Sequence, residues 1–295
     1  MGTTHPNAAT ISMPSLPVAR SLPWVPIVWF TSLLIVLFLP VLKPMVQEWI
    51  DMEEMGHAFF VPFVAGYVAW KERDRILQLP VKPCWPALGL VVWGFLQMLL
   101  GFLGADFFIA RTAFLVCLVG VLWTLAGTAV IRSLLFPLLL LLFMIRIPLF
   151  IYQQITFPLQ LFASEVAEKA LTLVGIPVLR DGNVLELPSQ RLQVVEACSG
   201  IRSLLSLAFL SLTYAYMFDA RAWMRPVLLV LTVPIAIIAN AGRVTITGIL
   251  SEYNKALAEG AFHTMEGWVI FMVALIALVA THKLICKAVD RRSVS

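Results

Sequence analysis

The feature that most constrains this chain is a succession of apolar runs, most of them close to 20 residues long, separated by short polar stretches. An α-helix needs about 20 apolar residues to cross the hydrocarbon of a bilayer, where without water it must satisfy its backbone N–H and C=O groups within its own segment. Repeated runs of that length predict an all-α polytopic membrane protein. The expected spans are Trp24 to Leu42, Gly56 to Trp70, Trp85 to Leu103, Phe107 to Leu125, Leu134 to Phe150, Gly200 to Phe218, Val227 to Leu250 and Gly267 to Cys286, about eight in all. Composition agrees: 60% of residues are hydrophobic against roughly 45–50% in soluble domains, and 13% are charged against roughly 25%. These proportions exclude an ordinary soluble enzyme.

The placement of Lys and Arg gives an orientation. With the N-terminus inside, the inner loops hold Arg20, then Lys71, Arg73, Arg75 and Lys82, then Arg132, then Arg221 and Arg225, then Lys283, Lys287, Arg291 and Arg292, which is 12 of the 21 Lys and Arg. The opposite side holds Glu48, Asp51, Glu53 and Glu54, the long segment Tyr152 to Ala197, and a loop with Glu252, Lys255 and Glu259. The positive-inside rule then puts both termini in the cytoplasm. The net charge of +4 is spread in short clusters at span ends, which points to a lipid bilayer as the partner and away from nucleic acid.

Residues 1–23, rich in Pro, Ser, Thr and Ala, read as a flexible cytoplasmic tail. Residues 24–286 then form one transmembrane catalytic domain, and 287–295 a basic cytoplasmic tail. The first run is too long for a signal-peptide core and lacks a small-residue cleavage site, so it is expected to stay as a helix. The only sizeable polar insertion is 152–197, on the outer side. Its Leu159, Phe162, Val166, Ala170 and Leu173 recur at three- and four-residue steps and predict an amphipathic helix lying on the membrane surface. Beyond it, Asp181-Gly182 separates two apolar stretches and predicts a β-hairpin, with a third strand available at Leu192 to Glu196. No internal repeat suggests the inverted halves of a transporter.

Three residues invite a chemical reading. Cys198 stands at the outer start of the sixth expected helix, where free backbone N–H groups favour a thiolate over a thiol. Arg243 lies toward the outer end of the next helix, where a guanidinium must find a partner or water. His263 follows on the outer loop before the last helix. Each alone has a plain structural reading: a packing cysteine, a snorkelling arginine, and a loop histidine solvated or paired with Glu259 or Glu266. Yet the topology brings all three to one depth, although 45 and 20 residues separate them. A nucleophile, a base and a cationic donor are the groups that acyl transfer requires. His57 shares that boundary and receives no role, while Cys84, Cys117, His5 and His282 read as tail, packing or inner-face residues. The four cysteines show neither CxxC nor Cys/His ligand spacing, and no HExxH occurs, so no metal or cofactor is expected.

The string Glu196-Ala-Cys198-Ser-Gly-Ile-Arg202-Ser resembles the active-site motif of the exosortase/archaeosortase family of multi-pass membrane cysteine proteases or transpeptidases. Asn240-Ala-Gly-Arg243 is similar to that family's second motif, and His263 occupies the place of the third. His57-Ala-Phe-Phe-Val-Pro62 also resembles an early family segment, with Ala58 in place of a glycine. The resemblance covers roughly residues 50–285 and implies Cys198 as nucleophile, His263 as proton carrier and Arg243 as the group that positions substrate or stabilises the oxyanion. Glu196, Arg202 and Asn240, which belong to the same motifs, are candidates for substrate binding. Arg202, one helical turn after Cys198, is suited to pair a motif glutamate. The implied substrates are membrane-anchored proteins with a C-terminal sorting signal of the PEP-CTERM type: a short Pro-Glu-Pro-like motif, a helix and a basic tail. Cleavage would occur at the outer face of a bacterial cytoplasmic membrane. The competing expectation is a non-catalytic scaffold subunit or transporter of an exopolysaccharide-export system.

Overall fold

The computed structural model describes residues 22–194, 200–253 and 261–294. Its first two helices are α1 (Trp24–Leu37) and α2 (Leu39–Asp51). They divide the apolar run expected as one span, meeting at a bend of 75°. Pro40 explains the break: it sits in the first turn of α2, where its missing N–H costs nothing, but it cannot continue α1. After α3 (Val61–Lys71) and the short α4 (Arg73–Leu77) come α5 (Leu88–Leu103), α6 (Phe107–Ala126), α7 (Thr128–Leu140) and α8 (Leu149–Leu173). Pro148 precedes α8, and the Leu134-to-Phe150 run is likewise broken, by 87°. α3, at 11 residues, is about 16 Å long at 1.5 Å per residue and cannot cross a bilayer alone. After the strands come α9 (Gly200–Phe218), α10 (Met224–Tyr253) and α11 (Ala261–Val294). Against the eight spans expected, the described residues hold four helices long and apolar enough to cross a membrane, or up to six if each bent pair is one span.

Between membrane helices lipid is as apolar as leucine, so close packing rather than hydrophobic burial holds them, and small residues mark the contacts. α5 and α6 show this. A Cβ on Gly101 would lie 2.7 Å from the Ala110 backbone nitrogen, and one on Gly120 would lie 2.8 Å from Val91 Cγ2. Gly94 meets Cys117 in the same way. Asp106 caps α6, its carboxylate accepting from the N–H groups of Phe108 and Ile109. One turn on, the buried Arg111 guanidinium donates two 2.7 Å bonds to the Glu48 carboxylate and ties α6 to α2.

Two apolar clusters organise the helices. The first gathers Phe38, Val41, Val61, Val68, Phe114, Leu140 and Phe209, the second Leu207, Ala215, Met224, Leu228, Ala274 and Leu278. α9 gives Phe209 to one and Leu207 to the other, so it is wedged between the N-terminal helices and the α10–α11 pair.

A third cluster joins α8 to a small sheet. β1 (Leu179–Asp181), β2 (Val184–Glu186) and β3 (Arg191–Gln193) pair antiparallel in that order, with Leu185 opposite both Arg180 and Leu192. Gly182, at φ 62°, takes the left-handed position that the two-residue β1–β2 turn requires. The Ser164 hydroxyl donates to the Gly182 carbonyl and the Asn183 amide to Gln160 Oε1, pinning the turn to α8. The buried face of α8 is Ala163, Ser164, Ala167 and Leu171, while Phe162, Val166 and Leu173 of the expected apolar stripe are exposed. Contact with α10 selects the small residues, with Leu171 seated on Gly248, so the inner face lies one residue over from the largest hydrophobes.

The polar ends of the helices sort into two groups. At one, Tyr216 donates to Glu72 beside the Arg73–Arg75 stretch, the Arg225 guanidinium lies 4.4 Å from the Tyr216 ring, and Arg221 reaches Asp290. At the other stand the Glu48–Arg111 pair, Glu54, the sheet and the first turn of α9.

Candidate functional site

α10 runs from the basic end of the bundle to the sheet end, and its middle third carries two of the residues singled out by sequence. Asn240 lines an open cleft of about 820 Å³. Its walls come from α8, α9 and α10: Tyr152, Gln153, Thr156 and Gln160 from the first, Leu204 from the second, Val233, Ala236 and Ile237 from the third, with Glu54 and Asn183 at its border. The Tyr152 hydroxyl donates to Glu54 Oε1 over 3.2 Å, which fixes a carboxylate beside an amide-rich wall. Such a wall offers both donors and acceptors, the complement of an extended peptide backbone.

Arg243, one turn after Asn240, is half-buried and lies against the start of α11. A Cβ on Gly267 would lie 3.2, 3.3 and 3.4 Å from Arg243 Nη2, Cζ and Nη1. Near-equal distances to three guanidinium atoms mean the group covers that glycine. Only a residue without a side chain lets the cation come this close to the helix backbone. Position 263 lies four residues earlier on α11, about one helical turn from Gly267.

Leu204 of the cleft wall lies six residues beyond Cys198. The first turn of α9 has backbone N–H groups with no intrahelical acceptor. Glu196 and Cys198 lie outside the described residues, as do the side chains of Arg202 and His263. The structure thus brings together Asn240 and the cleft, with Leu204 of α9 in its wall, and seats Arg243 on Gly267 of α11.

Sequence reasoning missed two supporting contacts. Glu252 Oε1 accepts from the Ser189 backbone N–H over 3.0 Å, binding the loop after β2 to the end of α10. Tyr152 and Glu54 are the other pair. Partners 63 and 98 residues apart leave no periodic trace in the sequence.

Residues 49–280 match the family model of the transmembrane exosortases (Exosortase_EpsH), a stretch that contains every residue of the three motifs. The chain belongs to the transmembrane exosortase family. No curated protein and no solved structure matches it. In exosortase terms, the matched stretch runs from the end of α2 into α11 and takes in the sheet, the cleft and the contact between Arg243 and Gly267.

Proposed function

We propose that this exosortase is a cysteine protease or transpeptidase that cuts C-terminal sorting signals of membrane-anchored proteins, with Cys198, Arg243 and His263 as its catalytic groups. The observation that carries the reading is the seating of the Arg243 guanidinium on Gly267, one turn from position 263 on the same helix. It supports a cation and an imidazole working side by side, at the end of the bundle where α9 begins two residues after Cys198.

In this reading the Cys198 thiolate attacks the scissile carbonyl carbon, and the oxyanion meets Arg243 and the free N–H groups of the first turn of α9. The C–N bond then breaks, His263 delivers a proton to the leaving amine, and a thioester remains on Cys198. Water or an acceptor amine attacks the thioester, His263 takes its proton, and the thiolate leaves. Arg202 pairs the glutamate of the sorting motif, while Glu196 and Asn240 bind the rest of the peptide. The site faces the periplasm, because the basic end formed by Arg73, Arg75, Arg221 and Arg225 is the cytoplasmic one.

A substrate held by its own helix presents its cleavage point at a fixed depth and reaches the site by lateral diffusion. The test is co-expression with a reporter carrying a Pro-Glu-Pro-type C-terminal signal, read as a size shift on a blot. Wild type should process it and Cys198→Ala should not. Equal processing by a well-inserted Cys198→Ala protein would leave the scaffold or transporter reading in its place.

A further inference from the structure

The two faces of α9 end very differently. Beyond its last residue, Phe218, the chain turns through Asp219 and Arg221 and meets α11 at His282 and Cys286, far from the proposed catalytic end. His282 Nε2 lies 3.0 Å from Asp219 Oδ2, Cys286 Sγ lies 3.3 Å from His282 Nε2, and Sγ lies 3.6 Å from Asp219 Oδ2. Three different donor atoms thus form a triangle, and together they are the ligand types of a metal centre. A tetrahedral zinc ion, with bonds of about 2.0–2.1 Å to nitrogen and oxygen and about 2.3 Å to sulfur, separates its ligand atoms by about 3.3–3.6 Å. The triangle therefore matches one face of that tetrahedron to within a few tenths of an ångström.

Two further observations point the same way. Asp219 and His282 are each only 7% exposed, so two of the donors are already withdrawn from water. The Tyr214 hydroxyl lies 3.0 Å from His282 Nδ1 and sets the ring so that Nε2 faces the other two donors. A hydrogen-bond partner on the far nitrogen is the usual support of a metal-bound histidine. The spacing of His282 and Cys286, four residues on one helix, presents both to one ion.

We propose that Asp219, His282 and Cys286 form a binding site for a divalent, borderline-soft cation of the zinc class, which clamps the α9–α10 turn to α11. Arg221 competes for the same two groups. Its Nη2 donates to Cys286 Sγ over 2.8 Å and to Asp219 Oδ2 over 3.0 Å, so the guanidinium supplies the positive charge between them. Its Nη1 already lies 3.4 Å from Asp290 Oδ1, one turn further along α11. The ion enters as Arg221 swings to Asp290 and as the Cys286 thiol releases its proton to solvent, leaving a fourth position for water. Zinc and copper exceed calcium and magnesium at a Cys/His/Asp set, because the thiolate and imidazole are poor ligands for hard cations.

The test uses the full-length protein in detergent micelles, with Co²⁺ as a spectroscopic substitute for Zn²⁺. Wild type is expected to develop a thiolate-to-cobalt charge-transfer band and tetrahedral visible bands, both lost on adding Zn²⁺. Cys286→Ser and His282→Gln should abolish them, while Arg221→Gln, which removes the competitor, should bind Co²⁺ more tightly. A second measurement needs no variant: Zn²⁺ should slow alkylation of Cys286, followed peptide by peptide by mass spectrometry, by about tenfold or more while leaving Cys84 unchanged. Absence of the bands in wild type, bands that survive Cys286→Ser, or alkylation of Cys286 indifferent to Zn²⁺ would each overturn the site and leave an ion-pair cluster of Arg221 and Asp219.

Discussion

Gly267 has no side chain to offer, and its value lies in what that lets Arg243 do. A methyl group there would meet three guanidinium atoms at 3.2–3.4 Å, so Gly267→Ala must push the cation outward by a few tenths of an ångström. Misplacement of that size at a reacting centre costs rate out of proportion to its effect on folding. Processing of the reporter by Gly267→Ala is expected to fall by about tenfold, with insertion and thermal stability close to wild type. Unchanged processing would mean that the contact does not position the arginine for chemistry. Asn240 and Arg243, three apart on one helix, were legible because their spacing is local and their types are rare at membrane depth. The glycine was not, since nothing before position 267 in the chain announces that a cation from α10 will rest there. Asp219 was hidden for the same reason. His282 and Cys286, four apart on one helix, did not read as a ligand pair because Asp219, the third member of the triangle, lies 63 residues before His282.

At the scale of elements, apolar run length found the helices but not their bends. Trp24 to Leu42 and Leu134 to Phe150 read as unbroken apolar runs, and the prolines at 40 and 148 bend them by denying a continuing hydrogen bond. The direction of α8 shows a second limit. Periodicity selected its bulkiest residues as the buried stripe, whereas the contact with α10 takes Ala163 and Ala167, because helix axes approach closely only over small side chains. The same rule makes a prediction for the α5–α6 pair. Gly101→Val would place two methyl groups where a single Cβ already meets Ala110 at 2.7–3.0 Å. The overpacking is expected to cost about 1–3 kcal/mol. Loss of the monomeric chromatographic peak at a lower temperature than wild type would register it, and an unaltered profile would show that the two helices can separate freely.

For the molecule as a whole, the orientation proposed above rests on charge. The basic residues of the α3–α4 junction, the α9–α10 turn and the end of α11 are far apart in sequence, yet Tyr216, Glu72, Arg225, Arg221 and Asp290 connect them at one end. With that end in the cytoplasm, a cysteine introduced at Asp181 should react with a membrane-impermeant maleimide in intact spheroplasts. One introduced at Lys287 should react only after lysis. The reverse pattern would invert the orientation and remove any periplasmic substrate from reach.

The order of elements along the chain carries one more consequence. Cys198 precedes α9, Arg243 lies on α10, and Gly267 and position 263 lie on α11, so the proposed centre is assembled entirely from residues 198–267. During translation, the ribosome delivers eight helices before the sheet, then the cysteine, then the arginine, and the surface on which that arginine rests comes last of these. A nascent exosortase threading into the membrane beside other newly made proteins therefore carries Cys198 without the groups that the proposed mechanism asks to act with it. On that reading, competence to cut waits for the emergence of α11.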